Sequence, residues 1–218
     1  MRAFLFDIDG TLLDTERIYV KAWQTAAMQL GYCLPDDLMR RTRAIDPKIA
    51  AKMMEDEVGG GFSYEAVREV RTQIGESMVE ADGQLLKPDT RALLEALRDA
   101  DVPYAAVTST GKAQTTRHLE LAGIERLIPV RVTGDMVVRG KPNPDIFLMA
   151  ASLLGVDSAV CYAVEDSGAG IRAAAAAGME PILIPDLAMV DAETRAMAFR
   201  ITDSLGDILH SLPELLDR

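Results

Sequence analysis

A chain of 218 residues, 49% of them hydrophobic, is long enough to bury a full core and leaves room for a modest second unit beside it. Its formal net charge of -11 argues against a polyanion such as nucleic acid as partner, no apolar run approaches the ~20 residues of a membrane span, and the first residues do not read as a signal peptide, so the expectation is a cytoplasmic protein without membrane contact. Cys33 and Cys161 give neither a disulfide framework nor a zinc spacing and are expected as buried thiols, while His118 and His210 are expected on solvated helix faces, which leaves a triad hydrolase or a histidine-based phosphatase without its base.

The first element is a strand over 2 to 9 that ends in Asp7 and Asp9. Positions two apart in an extended strand point the same way, so the two carboxylates share a side and Ile8 takes the other. Such a pair is costly unless a cation lies between the acids, or one carboxyl stays protonated while the other acts as base or nucleophile. From 16 to 84 the pattern turns helical. Tyr19, Ala22, Trp23, Ala26, Ala27 and Leu30 form an i, i+3, i+4, i+7 stripe up to Gly31, and two or three further helices follow, interrupted at Gly59-Gly60-Gly61. Hinges are expected near Asp14-Thr15 and near Lys87-Pro88, where the proline restricts Lys87 to extended conformations. Beyond them Asp89 is placed to cap a helix carrying Leu93, Leu94 and Leu97. Strands are expected at 102 to 109, 129 to 134, 159 to 166 and 180 to 186, with a weaker one at 199 to 203. Asn143-Pro144 opens a helix that Gly155 stops. Most strands are continuously apolar, as parallel strands covered on both faces are. The fold class is therefore α/β: a doubly wound, Rossmann-like parallel sheet made of residues 1-15 and 85-218, with residues 16-84 as a small all-helical insertion.

In such a sheet ligands bind outside the carboxyl ends of the strands. Polar groups stand at four of those ends: Asp7 and Asp9, Thr108 and Ser109, Gly140 and Lys141, and Glu165 and Asp166. Other phosphate chemistries fail on spacing. A cysteine phosphatase loop wants arginine six residues after its cysteine, where this chain has Met39 and Ser167. The approaches to a nucleotide P-loop at Gly111-Lys112 and Gly140-Lys141 lack the earlier glycine, and Ala113 or Pro142 replaces the hydroxyl residue. Gly168, Gly170 and Ala173 match a dinucleotide fingerprint, but the match follows a late strand, and Glu165 and Asp166 just before it would repel a pyrophosphate. Those glycines are expected to make a tight turn into the next helix.

On these residues the sequence resembles the haloacid dehalogenase superfamily, in its phosphatase and β-phosphoglucomutase-like branch with a helical cap after the first strand. The resemblance covers the whole chain and rests on FDIDGTLLDTE, AVTST with Thr108, GKPNPDIF with Lys141, and VEDSGAGIRAA with Glu165 and Asp166. It implies that Asp7 is the nucleophile, forming an aspartyl phosphate, and that Asp9 is the general acid and base. It implies magnesium held by the Asp7 side chain, the Asp9 backbone carbonyl and Asp166, with Glu165 close by or acting through water. Thr108 and Lys141, with amides near Gly10 and Ser109, would hold the remaining phosphate oxygens. Aspartate at position 9 favours phosphate-ester chemistry over C-halogen or C-P cleavage. The expectation is thus a magnesium-dependent phosphohydrolase for a small phosphorylated metabolite of the sugar or polyol class, working as a monomer. The alternatives are a sugar-phosphate mutase resembling β-phosphoglucomutase, for which Tyr19 is a departure because such mutases tend to carry histidine there, and a non-catalytic phosphometabolite sensor, against which the four filled motifs speak. Arg43, Lys48 and Arg71 are candidates for substrate contact, with surface charge as their default reading.

Overall fold

All six expected strands form, each shorter than its apolar run: β1 Ala3–Asp7, β2 Tyr104–Val107, β3 Arg131–Val132, β4 Cys161–Glu165, β5 Glu180–Leu183 and β6 Arg200–Ile201. The computed structural model describes residues 2–43, 45 and 47–218. The strands make one parallel sheet in the order β3-β2-β1-β4-β5-β6. The chain therefore builds outward from β1 to β3, returns, and builds outward again from β4 to β6. The order reverses between β1 and β4, which opens a crevice at their carboxyl ends.

Alternation along β1 divides the core. Phe4 and Phe6 pack with Leu93, Leu94, Leu97 and Tyr162 on one face, while Ala3 and Leu5 pack with Val107, Ile146, Phe147 and Ala163 on the other. Both faces of β1 are buried, which is why its sequence is unbroken apolar from Ala3 to Phe6. Between β1 and the rest of the sheet lie α1 Thr15–Gln29, α2 Asp36–Arg41, α3 Pro47–Val58 and α4 Tyr64–Ala81. The sheet layers are completed by α5 Thr90–Asp99, α6 Lys112–Leu121, α7 Asp145–Leu154, α8 Gly168–Ala176, α9 Ala192–Ala196, α10 Leu205–His210 and α11 Leu212–Leu216. Helices α1 to α4 enclose a core of their own, built on Trp23, Ala26, Leu38, Met54, Phe62 and Val67. Gly75 lets α4 lie close to α1: a Cβ there would stand 2.5 Å from Cε1 of Tyr19. No helix among the described residues is long and apolar enough to cross a membrane.

The two linkers to the insertion run side by side. Leu13 and Leu86 form an antiparallel bridge, Asp14 N–H donates to Leu85 C=O at 2.8 Å, and Lys87 N–H donates to Leu12 C=O at 3.0 Å. Arg17 donates to Asp14 at 2.6 Å and to Asp82 at 2.8 Å, while Lys87 stands 3.2 Å from Asp14 and 2.9 Å from Asp186.

Several local expectations need correction. His118 is buried rather than solvated, because its face of α6 meets the insertion, whereas His210 is exposed. Cys33 is exposed in the turn after α1, and only Cys161 is buried, its thiol pushed up to about 11 by burial. Asp89 occupies the N-cap position of α5 in a left-handed conformation, φ 63°, and makes no side-chain cap. Helix α7 starts at Asp145 with Pro144 rather than Asn143 at its N-cap, and Gly155, φ 69°, closes it. Leu30, the C-cap residue of α1, leaves the buried stripe and is exposed.

Candidate active site

Phe6 of β1 pairs with Val164 of β4, so the residues that follow, Asp7 and Glu165, arrive side by side at the strand ends. Lys141, on the segment before α7, reaches between them: its Nζ lies 2.5 Å from Asp7 Oδ1 and 2.6 Å from Glu165 Oε1. Burial would lower the Lys141 pKa, but the facing carboxylates of Asp7 and Glu165 outweigh it and raise it above the ordinary value. Glu165 is fully buried and also accepts from the Ser167 hydroxyl at 2.9 Å. Burial raises Asp7 well above the usual carboxylate range in spite of Lys141. Asp166 is pushed up to about 8 by burial, with the charges of Glu165 and Asp186 adding to it.

Carboxylate oxygens of Asp7, Glu165 and Asp166 lie within 4.8 Å of one another. One lysine cannot neutralise three buried acids, and the neighbouring carboxylates add to burial in raising Asp7 and Asp166. An all-oxygen set around a charge deficit suits a hard divalent cation such as magnesium. Two glycines leave room for the cluster. A Cβ on Gly10, which has φ +95°, would overlap the Asp166 carboxylate, and one on Gly170 would overlap that of Glu165. Gly170 thus answers to the acid site rather than to a dinucleotide.

Asp9 sits in a cage of hydroxyls. Its Oδ1 accepts from Thr15 Oγ1 at 2.8 Å, and its Oδ2 accepts from Thr108 Oγ1 at 3.0 Å and from Thr110 Oγ1 at 2.9 Å. Sequence reasoning missed Thr15 and Thr110. The available signal was the two-residue spacing of Thr108 and Thr110, which repeats that of Asp7 and Asp9 on the adjacent strand. Thr108 comes to the site as expected, yet its hydroxyl proton is directed at Asp9. The Gly10 amide, expected to meet a phosphate, is instead donated to Leu13 C=O at 2.8 Å.

A cavity of about 530 Å³ opens over these groups, lined by Asp7, Asp9, Thr108, Ser109, Lys141 and Asp166 from the sheet side and by Tyr19, Pro47 and Arg71 from the insertion. A second cavity of about 270 Å³ inside the insertion shares Glu16, Tyr19 and Arg71 with it and is walled by Trp23, Met54 and Tyr64. Arg43 and Arg71 are not the surface charges of their default reading. Arg43 has 8% of its side chain exposed and is ion-paired with Glu16. The Arg71 guanidinium lies 4.3 Å from the Tyr19 ring centroid and 5.5 Å from that of Trp23. Burial lowers the pKa of both arginines, and the Nε atom of each is buried without a hydrogen-bond partner. Lys48 is exposed. Tyr19 both packs in the insertion and faces the larger cavity.

Residues 1–178 match the haloacid dehalogenase-like hydrolase family. Among relatives, the phosphorylated carbohydrates phosphatase of Thermotoga maritima is 31% identical over 184 residues, covering 84% of each chain. Hexitol phosphatase A of Escherichia coli is 32% identical over 183 residues, covering 84% of this chain and 82% of that one. The solved structure of a CbbY mutant from Rhodobacter sphaeroides in complex with xylulose-(1,5)bisphosphate is 25% identical with a TM-score of 0.76, covering 95% of this chain and 96% of that one. Fold, strand-end acids and these matches agree, and the chain belongs to the haloacid dehalogenase-like hydrolases.

Proposed function

We propose that this protein is a phosphatase for small phosphorylated sugars or polyols that works through an aspartyl phosphate on Asp7, with residues 16-84 as a cap over a catalytic core of 1-15 and 85-218. The observation that carries the reading is Lys141 Nζ at 2.5 Å from Asp7 Oδ1. Lys141 offsets part of the cost that burial places on the Asp7 carboxylate and holds it in place as the nucleophile. Asp7 attacks phosphorus, the P–O bond to the sugar or polyol breaks, and Asp9 gives its proton to the departing oxygen. Water then attacks the same phosphorus while Asp9 takes a proton from it, and the bond to Asp7 breaks to release inorganic phosphate. Thr15, Thr108 and Thr110 aim Asp9 for both transfers. Asp7 and Asp166, with the Asp9 backbone carbonyl and with Glu165 behind them, would hold magnesium, which when bound supplies charge to offset that building on the phosphoryl oxygens.

The substrate class is supported by the relatives' names and by the cap itself. Arg71, half-buried and lining the cavity, suits the oxygen-rich, anionic end of a phosphorylated sugar. The test is phosphate release from a panel of sugar and polyol monophosphates with magnesium, by the wild type and by Asp7→Asn. Asp7→Asn should stay folded and lose roughly a thousandfold or more in turnover. The wild type quenched in acid should carry a phosphoryl adduct on Asp7. A variant keeping a tenth of the activity would refute the nucleophile. An isomerised sugar phosphate in place of inorganic phosphate would mark a mutase.

A further inference from the structure

Where α4 of the insertion meets α6 of the sheet layer, a polar joint closes beside the cavity. Gln114 Nε2 in the first turn of α6 donates to Tyr19 Oη at 2.6 Å and to Glu76 Oε1 at 2.7 Å, and Tyr19 Oη donates to that same Glu76 oxygen at 2.7 Å. One turn further along α6, His118 Nε2 lies 3.5 Å from Glu76 Oε2; it is buried and has no hydrogen-bond partner. Arg117 and Glu80 pair at the rim, but with 53% and 46% of their side chains exposed they add little.

The joint is not needed to build either layer. Tyr19 packs on α4 through its ring, which lies against Gly75, and α6 is anchored to the sheet by Leu119. An apolar seam at this place would weld the layers together, because opening it would expose apolar surface to water. Hydrogen bonds exchange for water at small net cost, so a polar seam can part and re-form. The triangle also has a sense. The hydroxyl accepts once and donates once, the amide only donates and the carboxylate only accepts, so the set closes in one direction.

We propose that Gln114, Tyr19 and Glu76 form a clasp that holds the cap down over the phosphate site, and that a small approach of α4 completes it by bringing Glu76 Oε2 onto His118 Nε2. Gln114 acts here as a positioning residue, working through Tyr19 and Glu76. The clasp rests on the phosphatase reading only in its kinetic consequence, so the test pairs a kinetic readout with one that needs no turnover.

Gln114→Glu sets carboxylate against carboxylate, whereas Glu76→Gln keeps an amide oxygen that still accepts from Gln114 and Tyr19. The double variant restores the triangle with its sense reversed, the amide at 76 donating to the carboxylate at 114. Hydrogen–deuterium exchange over residues 72–80 and 112–119 of the free protein should quicken about tenfold in Gln114→Glu, stay within about threefold of wild type in Glu76→Gln, and return to within about threefold of wild type in the double. Catalytic efficiency on the best sugar phosphate should follow the same order, falling about tenfold through KM and recovering in the double. Tyr19→Phe, which keeps the ring on Gly75 and removes only the hydroxyl, should show the same loss without a change in thermal midpoint. A double variant that exchanges as fast as Gln114→Glu alone, or a Gln114→Glu variant that exchanges like the wild type, would overturn the clasp. An enzyme inactive on every phosphate ester but showing the reciprocal exchange pattern would overturn the phosphatase reading and keep the clasp.

Discussion

Gly170→Ala sets two pieces of physics against each other. Gly170 is the third residue of α8, where alanine normally gains ~1 kcal/mol over glycine. Helix propensity alone therefore predicts a more stable protein. The new methyl group, however, would occupy the space of the Glu165 carboxylate. Glu165 is fully buried, and it cannot turn aside without giving up Lys141 at 2.6 Å and Ser167 at 2.9 Å. Breaking a buried ion pair costs about 3–5 kcal/mol, so the net loss is about 2–4 kcal/mol after the helix gain. In a protein of this length that lowers the thermal midpoint by on the order of 10 °C. Activity should fall further than stability implies, by about a hundredfold, because Lys141 is shared with Asp7 and loses its second anchor. Thermal and urea unfolding with magnesium-dependent phosphate release would measure both. The decisive comparison repeats the substitution on Glu165→Ala, where the space is empty and the alanine should be neutral or stabilising by ~1 kcal/mol. A single Gly170→Ala variant that melts higher than wild type and keeps full activity would refute the reasoning.

Because Asp166 is pushed up to about 8 by burial, the acid cluster holds a proton at neutral pH that a divalent cation must displace. Magnesium affinity should therefore rise up to about tenfold per pH unit until about pH 8 and level off above it; calorimetry in two buffers of different ionisation enthalpy should show proton release, and a flat affinity from about pH 6 upward would contradict the shift. The same shift works against the metal-free fold: an acid raised above its ordinary 3.8 costs stability as pH rises from about 4 to about 8, so the thermal midpoint should fall across that window without magnesium and hold steady with it. Thr110→Val removes one hydroxyl from Asp9 and should lower kcat about tenfold while Thr110→Ser stays within about threefold, and an equal loss in both variants would mean that the methyl group and not the hydroxyl matters.

The sheet was legible because its central strands β1, β2 and β4 are buried on both faces and so read as apolar runs. The acids were legible because their spacing puts them at strand ends, where the fold leaves room for chemistry. What failed to show in the sequence depends on which layer meets which. The periodicity of α6 identifies a helix but not the surface that covers its far side, so His118 looked solvated. Arg43 and Arg71 looked like surface charge for a related reason, since the cavity they both line exists only once the helices of the insertion have packed together. Thr15 and Thr110 were invisible as partners of Asp9 because a threonine at a strand end or helix start is ordinarily a cap, and only the positions of three segments reveal a shared acceptor. The resemblance implied an open amide near Gly10, whereas the structure gives the Gly10 amide to Leu13 and uses the missing side chain to make room for Asp166.

The side-by-side linkers carry a consequence for how this protein can be rebuilt. Asp14 and Leu85 already face each other across a two-stranded ribbon, with N–H and C=O 2.8 Å apart. Everything between them is, to the rest of the chain, a hairpin loop of unusual length. A two-residue Asn-Gly turn spliced between Thr15 and Gln84 would satisfy the same ribbon, keep the threonine that steadies Asp9, and leave the register of all six strands alone. Helices α1 to α4 enclose a core of their own, so grafting those of a relative onto this sheet tests whether substrate preference travels with them while the acids and Lys141 stay in place.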